Sequence, residues 1–550
     1  MARHLPQFPR PTGGLPGRDV GCLLRAWAVA LLFGGVACGT EEEAPPPYDL
    51  LVQGGVVVDG TGADRFEADV AVKGDRIARV APDGVPADSA RELVDARGLV
   101  VAPGFVDHHA HVGTAVLERP LLENFLRQGI TTVVASPHAQ DQPWPLRSHM
   151  EAVEAAPNMA FFAGHGWVRK EVVGEEDRAP TEAELERMKG LVARSMREGA
   201  LGLSTGLEYG PGAYAGTDEV VELARVAARH GGLYYTHLRN EGPRLVESVE
   251  EALEVGRRAD LPVQVQHLKA FGPPQWGRTR EALAVMDSAR AEGLDVKHDV
   301  YPYAAASTSS SVLFPAWALE GGADSLQARL DDPESRERIE REMREMWLAE
   351  WTGEDLDRVR FRSVPAEPEY RGRTLAEVVR DRGLPNDVDA GIEVALELQV
   401  DGGFTAVVHG MDERDVIRVM AHPQAMFQTD GDAVGHGVGH PHPRSYGAFP
   451  RVIRRYVLEL EVLSVEEAIH RMTGLSMEQL GQRDRGVVEA GRYADLVALD
   501  LATVTDRATY MDPHRHSVGV VHSVVNGVPV LRDGSLTGRT PGRVLRGPAR

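Results

Sequence analysis

Cysteine is nearly absent from this chain: of 550 residues only Cys22 and Cys38 are cysteines, and both lie near the N-terminus. Two cysteines allow at most one disulfide, which excludes a small scaffold held together by several bridges. The body of the chain, from residue 39 onward, contains no cysteine at all. Thiol ligands are therefore excluded from the body.

Positive charge is also scarce, because 60 Lys and Arg face 82 Asp and Glu, a formal net charge of −22. Such an excess of acid repels nucleic-acid phosphates and anionic lipid surfaces, so we predict neither as a partner. The composition, 43% hydrophobic and 26% charged, is typical of a soluble globular enzyme. At about 150 residues per domain the length suggests three or four units, but one (β/α)8 barrel with insertions can span over roughly 400 residues.

The N-terminal apolar stretch, 23–37, is too short to span a bilayer and follows several arginines, which predicts a secretory signal. Residues 35–38 (GVAC) resemble the signal of a bacterial lipoprotein, in which Cys38 becomes the lipidated first residue. We therefore expect a signal peptide at 1–37, a tether at 38–47, and an exported, periplasmic or cell-envelope protein that contacts the membrane only through lipid on Cys38. An ordinary cleaved signal or an uncleaved anchor is the alternative.

Short β-rich runs punctuated by glycine occupy both ends of the body, at 48–102 and again at 485–546. This pattern predicts strands joined by tight turns. Because unpaired sheet edges are unfavourable, we predict that the two ends form one small composite β-sandwich. Two unrelated β pieces are the alternative.

Between these ends, apolar runs alternate with amphipathic helical stretches, which is typical of βα units around a parallel sheet. Eight runs are candidate strands: 100–107, 131–136, 160–164, 201–205, 232–237, 262–267, 294–301 and 425–430. Eight strands close a barrel, so the predicted fold class is α/β with a TIM-like (β/α)8 barrel over 103–484, and a doubly wound open sheet is the alternative. The long gap between the seventh and eighth strands, with a charged helix at 334–350, predicts an inserted lobe at about 316–403.

Histidines recur at the ends of the predicted strands. His109 and His111 lie two residues apart on an extended strand, so their imidazoles point the same way, as a zinc site requires. A single histidine is more often structural than a ligand, but this pattern repeats. The other members are His138, His165, His237, His267, His298 and Asp430. Because the strand ends of a barrel converge, we predict a metal-dependent active site there.

Several segments resemble a known family. Residues 103–111 (PGFVDHHAH) resemble the metal-dependent amidohydrolase superfamily. The segments that resemble its D-aminoacylase branch, the N-acyl-D-amino-acid deacylases, are 199–209 (GALGLSTGLEY), 236–241 (THLRNE), 266–269 (QHLK), 429–431 (TDG) and 442–449 (HPRSYGAF). The likeness runs from about residue 48 to 546 and implies a TIM-like barrel with a composite β-sandwich, in agreement with the strand pattern.

The resemblance implies a metal site. The tight zinc position would use His138, His237 and His267, and the weaker or second position His109 and His111. The better-known members have a cysteine where this chain has His138. A thiolate can bridge two zinc ions whereas one imidazole nitrogen binds one, so we expect one firmly held zinc, with a second, adventitious zinc left open.

The resemblance also implies the remaining roles. Asp430 would be the catalytic carboxylate, and the α-carboxylate of the substrate would be held by Tyr209, Lys269 and Arg444. Apart from the resemblance, we expect Asp141 as an alternative carboxylate near the site, and His165 and His409 as pocket or supporting groups.

We therefore predict an enzyme that uses zinc to hydrolyse the linear amide of N-acyl-D-amino acids to a carboxylate and a D-amino acid. One alternative is a cyclic amidase of the hydantoinase or dihydroorotase kind, or a dipeptidase acting on D-residues. Those cyclic amidases commonly use a carboxylated lysine, and no lysine stands at a predicted strand end before His237. The alternative from another class is a lipid-tethered binding protein without catalysis.

Overall fold

The computed structural model describes residues 46–135 and 142–548, which belong to one compact unit, Pro46–Arg550. The predicted signal peptide, Cys38, His138 and Asp141 lie outside the described residues. Within the described ranges no helix is long and apolar enough to cross a membrane.

The strands, numbered in chain order, are β1 (Tyr48–Val57), β2 (Phe66–Lys73), β3 (Arg76–Ala81), β4 (Ala90–Asp95), β5 (Val100–Pro103), β6 (Phe105–His111), β7 (Ile130–Ala135), β8 (Asn158–Phe161), β9 (Ala163–Gly164), β10 (Gly202–Gly206), β11 (Leu233–His237), β12 (Val263–Val265), β13 (Val296–Val300), β14 (Ala306–Ser309), β15 (Val359–Ser363), β16 (Thr405–Val408), β17 (Ala425–Phe427), β18 (Gly431–Asp432), β19 (Leu496–Leu499), β20 (Val520–Val525), β21 (Val528–Arg532) and β22 (Ser535–Leu536).

The α-helices are α1 (Ala115–Glu118), α2 (Glu123–Leu126), α3 (Leu146–Ala152), α4 (His165–Val172), α5 (Glu182–Glu198), α6 (Thr217–Arg229), α7 (Leu245–Ala259), α8 (Thr279–Ala291), α9 (Ala316–Leu319), α10 (Ala323–Asp331), α11 (Pro333–Met346), α12 (Leu375–Asp381), α13 (Val388–Val400), α14 (Glu413–Ala421), α15 (Arg444–Arg451), α16 (Val465–Met472) and α17 (Gly474–Gln479). Two π-helical segments, Trp347–Trp351 and Val452–Glu459, continue α11 and α15.

Strands from both chain ends form one nine-stranded sheet, in the order β22-β21-β20-β19-β5-β1-β2-β3, with β4 paired to β1. The two ends meet where β19 runs antiparallel to β5, with Leu496 opposite Pro103. Residues 486–488, at the start of the predicted β-rich segment 485–546, do not form a strand, because the positive φ of Gly486 (80°) interrupts extended backbone there.

The first predicted barrel strand, 100–107, is divided between two sheets. β5 belongs to the nine-stranded sheet and β6 begins a separate parallel sheet. At the junction the N–H of Gly104 donates to the Asp495 carbonyl, and a Cβ on Gly104 would lie 2.1 Å from Thr131 Oγ1. Only a residue without a side chain fits against Thr131 here, and this is the point at which the chain passes from one sheet to the other.

Two parallel sheets occupy the middle of the chain. One has the order β18-β6-β7-β8 and the other β17-β13-β12-β11-β10-β9, with every neighbouring pair parallel. The helices α5 to α8 alternate with the strands β10 to β13, so the class is α/β, as predicted. α5 shows why these helices form: Thr181 and Glu184 make a reciprocal capping box at its start, and Gly199 ends it in the left-handed region.

A separate region lies between β13 and β17. Its sheet has the order β14-β16-β15, and α10 to α13 pack beside it around buried Trp347, Ile339 and Phe361. The Trp347 indole N–H donates to the Leu313 carbonyl over 2.9 Å. The charged helix expected at 334–350 is α11 with its π-helical extension, whose end reaches the cavity described next.

Candidate active site

The first cluster of site residues joins β6 to the turn between β17 and β18. His111 Nε2 lies 3.3 Å from His109 Nε2, and Asp430 Oδ1 lies 2.9 Å from His111 Nε2 and 3.2 Å from His109 Nε2. The Asp430 N–H donates to the His109 carbonyl over 2.9 Å. The three side chains therefore present two imidazole nitrogens and a carboxylate to one point.

The second cluster joins β11 to the segment after β12. His237 Nδ1 lies 3.1 Å from His267 Nε2, and both rings are almost fully buried. The remote nitrogens face carboxylates: His237 Nε2 is 2.8 Å from Glu208 Oε2, and His267 Nδ1 is 2.9 Å from Glu241 Oε1. His237 Nδ1 and His267 Nε2 therefore face each other, while Glu208 and Glu241 contact the opposite nitrogen of each ring.

Both clusters open into one cavity of about 230 Å³. The His109 and His267 rings are 5.5 Å apart, centroid to centroid, so the clusters are neighbours. The lining residues used below are His111, Glu208, Tyr209, His237, Glu241, His267, Lys269, Thr308, Trp351, Arg362, Asp430, Asp432 and Arg444. They come from strand ends and from the lobe, so the tertiary fold assembles the site.

Two of the site residues have an unusual backbone. The φ angles of His267 (32°) and Asp430 (49°) lie on the positive side, which non-glycine residues rarely adopt. Such strain costs of order 1–3 kcal/mol and persists only where surrounding contacts impose it. Here the contacts are hydrogen bonds donated by the two backbone N–H groups, that of His267 to Asp299 Oδ1 and that of Asp430 to the His109 carbonyl.

The charge of Asp430 is balanced by Arg444. Arg444 Nη1 lies 2.7 Å from Asp430 Oδ2, and both side chains are buried. Burial alone would raise the pKa of Asp430, but the Arg444 cation and the hydrogen bonds from His109 and His111 hold that pKa well below its usual value. Burial lowers the pKa of His109 to about 4. Asp430 is thus ionised and His109 neutral near pH 7.

Two further carboxyls lie beneath the site. Asp107 accepts hydrogen bonds from the Thr429 N–H and hydroxyl, at 2.9 and 2.5 Å, and Asp299 accepts from Tyr235 and Gln264. Burial raises the pKa of Asp107 to about 7 and that of Asp299 to about 6. These acids position the backbone that carries Asp430 and His267.

The three residues predicted to bind a substrate carboxylate line the cavity, but their surroundings differ. Arg444 faces Asp430 and lies over the Tyr301 ring at 4.8 Å. The Tyr209 hydroxyl is 3.1 Å from Thr308 Oγ1. Lys269 Nζ is 2.5 Å from Glu241 Oε2, so its ammonium is paired with a protein carboxylate that the motif alone did not place there.

Three other histidines lie away from the cavity lining. His165 begins α4 and contacts Glu219 Oε1 at 2.9 Å. His409 packs edge-on against Tyr510, with ring centroids 4.6 Å apart. His298 lies two residues before the end of β13, near a strand end as expected, but its ring is buried beside His422 and does not line the cavity with the other histidines.

Sequence reasoning missed Glu208, Glu241 and Arg362. The two glutamates stand inside the segments 199–209 and 236–241, so their positions carried a signal. Arg362 carried none: it comes from β15 in the lobe and pairs with Asp432, 70 residues away in the chain.

The donors fit a zinc ion. Zinc binds imidazole nitrogen and carboxylate oxygen, and each cluster offers two imidazoles and one carboxylate, that of Asp430 in the first and that of Glu241 in the second. The remote nitrogens of His237 and His267 are already oriented by carboxylates, the arrangement usual around metal-bound histidines.

Comparison with known proteins identifies the class. A family model described as "Amidohydrolase family" matches residues 92–311 and 387–531. The unmatched residues between these ranges, 312–386, all fall in the region between β13 and β17. This chain belongs to the amidohydrolase family.

Relatives define the branch. D-aminoacylase of Alcaligenes xylosoxydans xylosoxydans is 36% identical over 526 residues, 91% of this chain and 98% of that protein, and N-acyl-D-glutamate deacylase of the same organism is 35% identical, covering 90% and 96%. A solved structure of N-acyl-D-glutamate deacylase from Bordetella bronchiseptica, complexed with zinc and a phosphonate mimic of the tetrahedral intermediate, is 33% identical with a TM-score of 0.77, covering 91% of this chain and 99% of that one. The resemblance to the N-acyl-D-amino-acid deacylases is confirmed.

Proposed function

We propose that this protein is a zinc-dependent hydrolase that cleaves the amide bond of N-acyl-D-amino acids to a carboxylate and a D-amino acid. One observation carries the proposal: Arg444, a guanidinium suited to a carboxylate, shares a cavity with both histidine clusters and contacts Asp430. Relatives that act on N-acyl-D-amino acids cover about nine-tenths of the chain and support the substrate class.

We also propose that the two parallel sheets together form a TIM-like (β/α)8 barrel. In support, their strands follow chain order, β18 pairs with β6 at one end, and β17 packs beside β6. On this proposal the nine-stranded sheet folds over on itself as a composite β-sandwich of residues 48–102 and 485–546, and the region at about 316–403 is an insertion near the barrel mouth.

The proposed metal position uses His237 and His267, with His138 as the expected third ligand and His109 and His111 at a weaker position. Zinc, when bound, supplies Lewis acidity that polarises the scissile carbonyl and acidifies the attacking water. One firmly held zinc is the expectation from the absence of a bridging thiolate. The relative D-aminoacylase has been studied with a binuclear metal centre, so a second, weaker site stays part of the proposal.

The protein's own residues handle the protons and the substrate charge. Asp430 is ionised at neutral pH, so it can accept the proton of the attacking water and later return it to the leaving nitrogen, which leaves poorly unless protonated. Arg444 would bind the α-carboxylate of the substrate through the side of its guanidinium that faces away from Asp430. Tyr209 and Lys269 line the same cavity and would complete that contact.

The test is a substrate panel on purified protein with its metal content measured. N-acetyl D- and L-amino acids, a D-dipeptide and a hydantoin are compared after zinc is restored. We expect amine release from N-acyl-D-amino acids and none from the metal-stripped protein. Hydrolysis of the cyclic amide alone would replace this proposal with the cyclic amidase, and ligand binding without turnover would favour the binding protein.

We propose, from the N-terminal sequence, that the protein is exported and anchored by lipid on Cys38. Replacing Cys38 by serine should release the protein from the membrane fraction and stop incorporation of labelled palmitate. Unchanged fractionation and labelling would contradict the lipid anchor.

A further inference from the structure

Glu208 connects the metal-site histidines to a second cavity. It follows β10, two residues after Gly206, and its Oε2 lies 2.8 Å from His237 Nε2. Its side chain is 12% exposed and that of His237 only 4%. Glu208 also lines the neighbouring cavity of about 430 Å³, whose wall includes Glu350 and Trp351.

The contact orients the ring of His237. Because Glu208 Oε2 engages Nε2 at 2.8 Å, the other ring nitrogen, Nδ1, points the opposite way and faces His267 Nε2 at 3.1 Å. This is the ring orientation that a metal ion between the two histidines requires.

We propose that Glu208 is a positioning residue for the metal site: its carboxylate fixes the ring of His237 and directs Nδ1 toward the metal. The inference rests on the proposed zinc site and adds a residue that does not itself contact the metal. A carboxylate behind a ligand histidine also makes the imidazole a stronger donor, so the effect appears in metal affinity as well as in turnover.

Glu241 stands behind His267 in the same way, but it is a less selective test. Its second oxygen pairs with Lys269 at 2.5 Å, and Lys269 Nζ also lies 2.9 Å from His267 Nδ1. Removing Glu241 would therefore release Lys269 as well as His267. Glu208 is the position at which the support of one histidine can be changed alone.

The experiment measures zinc affinity of the full-length protein by competition with a chromogenic chelator. Glu208→Ala removes the acceptor and should weaken zinc binding about 10–100-fold. Glu208→Gln keeps an acceptor oxygen without the charge and should fall between Ala and wild type. The visible spectrum of the cobalt-substituted protein, which reports ligand geometry, should change in Glu208→Ala.

Glu350→Gln is the matched control. Glu350 lines the same second cavity, but it accepts a hydrogen bond from Asn240 Nδ2 at 2.9 Å rather than contacting a histidine. The zinc affinity of the Glu350→Gln protein should therefore stay within about twofold of wild type. Thermal unfolding shows whether both Glu208 variants fold. If they do, and if both bind zinc with wild-type affinity and show an unchanged cobalt spectrum, the inference is wrong. If wild type itself binds no zinc, the proposed function fails instead.

Discussion

Replacing Asp430 by asparagine is the sharpest test of the chemistry. Asparagine keeps the shape of the side chain and can still accept from Arg444, but it cannot take a proton from water. Loss of a general base typically costs about 10²–10⁴-fold in rate, a rise in the barrier of about 2.7–5.4 kcal/mol. We therefore expect kcat to fall by at least about a hundredfold.

The substitution also touches stability, because Asp430 is the counter-ion of buried Arg444. Breaking a buried ion pair on one side costs up to about 3–5 kcal/mol, so thermal unfolding must accompany the kinetics. Binding of an uncleaved N-acyl-D-amino acid, measured by calorimetry, should persist because Arg444 remains.

Asp432→Asn is the matched control for Asp430→Asn. Asp432 lines the same cavity but pairs with Arg362 in place of the histidines. Its loss of charge should lower kcat less than tenfold. If the folded, zinc-loaded Asp430→Asn protein turns over within tenfold of wild type, Asp430 is not the general base.

Three further outcomes are expected. Arg444→Lys keeps the charge beside Asp430 but loses the forked donor, so KM for an N-acyl-D-amino acid should rise at least about tenfold, and an unchanged KM would contradict the carboxylate role. Gly104→Ala forces a Cβ to 2.1 Å from Thr131 Oγ1 and should lower the free energy of unfolding by about 1–3 kcal/mol or more in thermal melts, whereas Gly190→Ala, whose Cβ meets no atom within 4 Å, should not. Burial and the nearby Glu208 carboxyl raise the pKa of Glu350 from 4.5 to about 8. The folded protein therefore holds this proton more tightly than the unfolded chain, so stability falls as pH rises through this window, and Glu350→Gln should flatten that fall. Parallel pH–Tm curves for the variant and wild type would refute this expectation.

Local pattern was sufficient for part of the site. His109 and His111 stand two apart on a strand, and the alternation of a strand places such residues on one face without any tertiary information. The structure puts both Nε2 atoms within 3.3 Å of each other. The β-rich pattern at both ends of the body likewise predicted strands that pair with each other, and β19 from one end does pair with β5 from the other.

Other features could not be read from local pattern. The division of the first predicted barrel strand at Gly104 depends on the Thr131 side chain, which packs against it from another strand. Lys269 was expected to meet the substrate carboxylate, yet Glu241, 28 residues earlier, lies within 2.5 Å of its ammonium. Such pairings depend on where loops bring distant charges together, which periodicity does not encode.

By itself the sequence determined the kinds of atoms available for chemistry: imidazoles and carboxylates at strand ends, no thiols in the body, and an arginine for a carboxylate. Only the tertiary structure decided how they are used. It placed Glu208 behind His237 and Arg444 against Asp430, and it brought Arg362 from the lobe to Asp432. The physical reason is that hydrogen-bond and ion-pair partners are selected by distances of about 3 Å in the folded chain, whereas sequence spacing specifies only the face and end of each element.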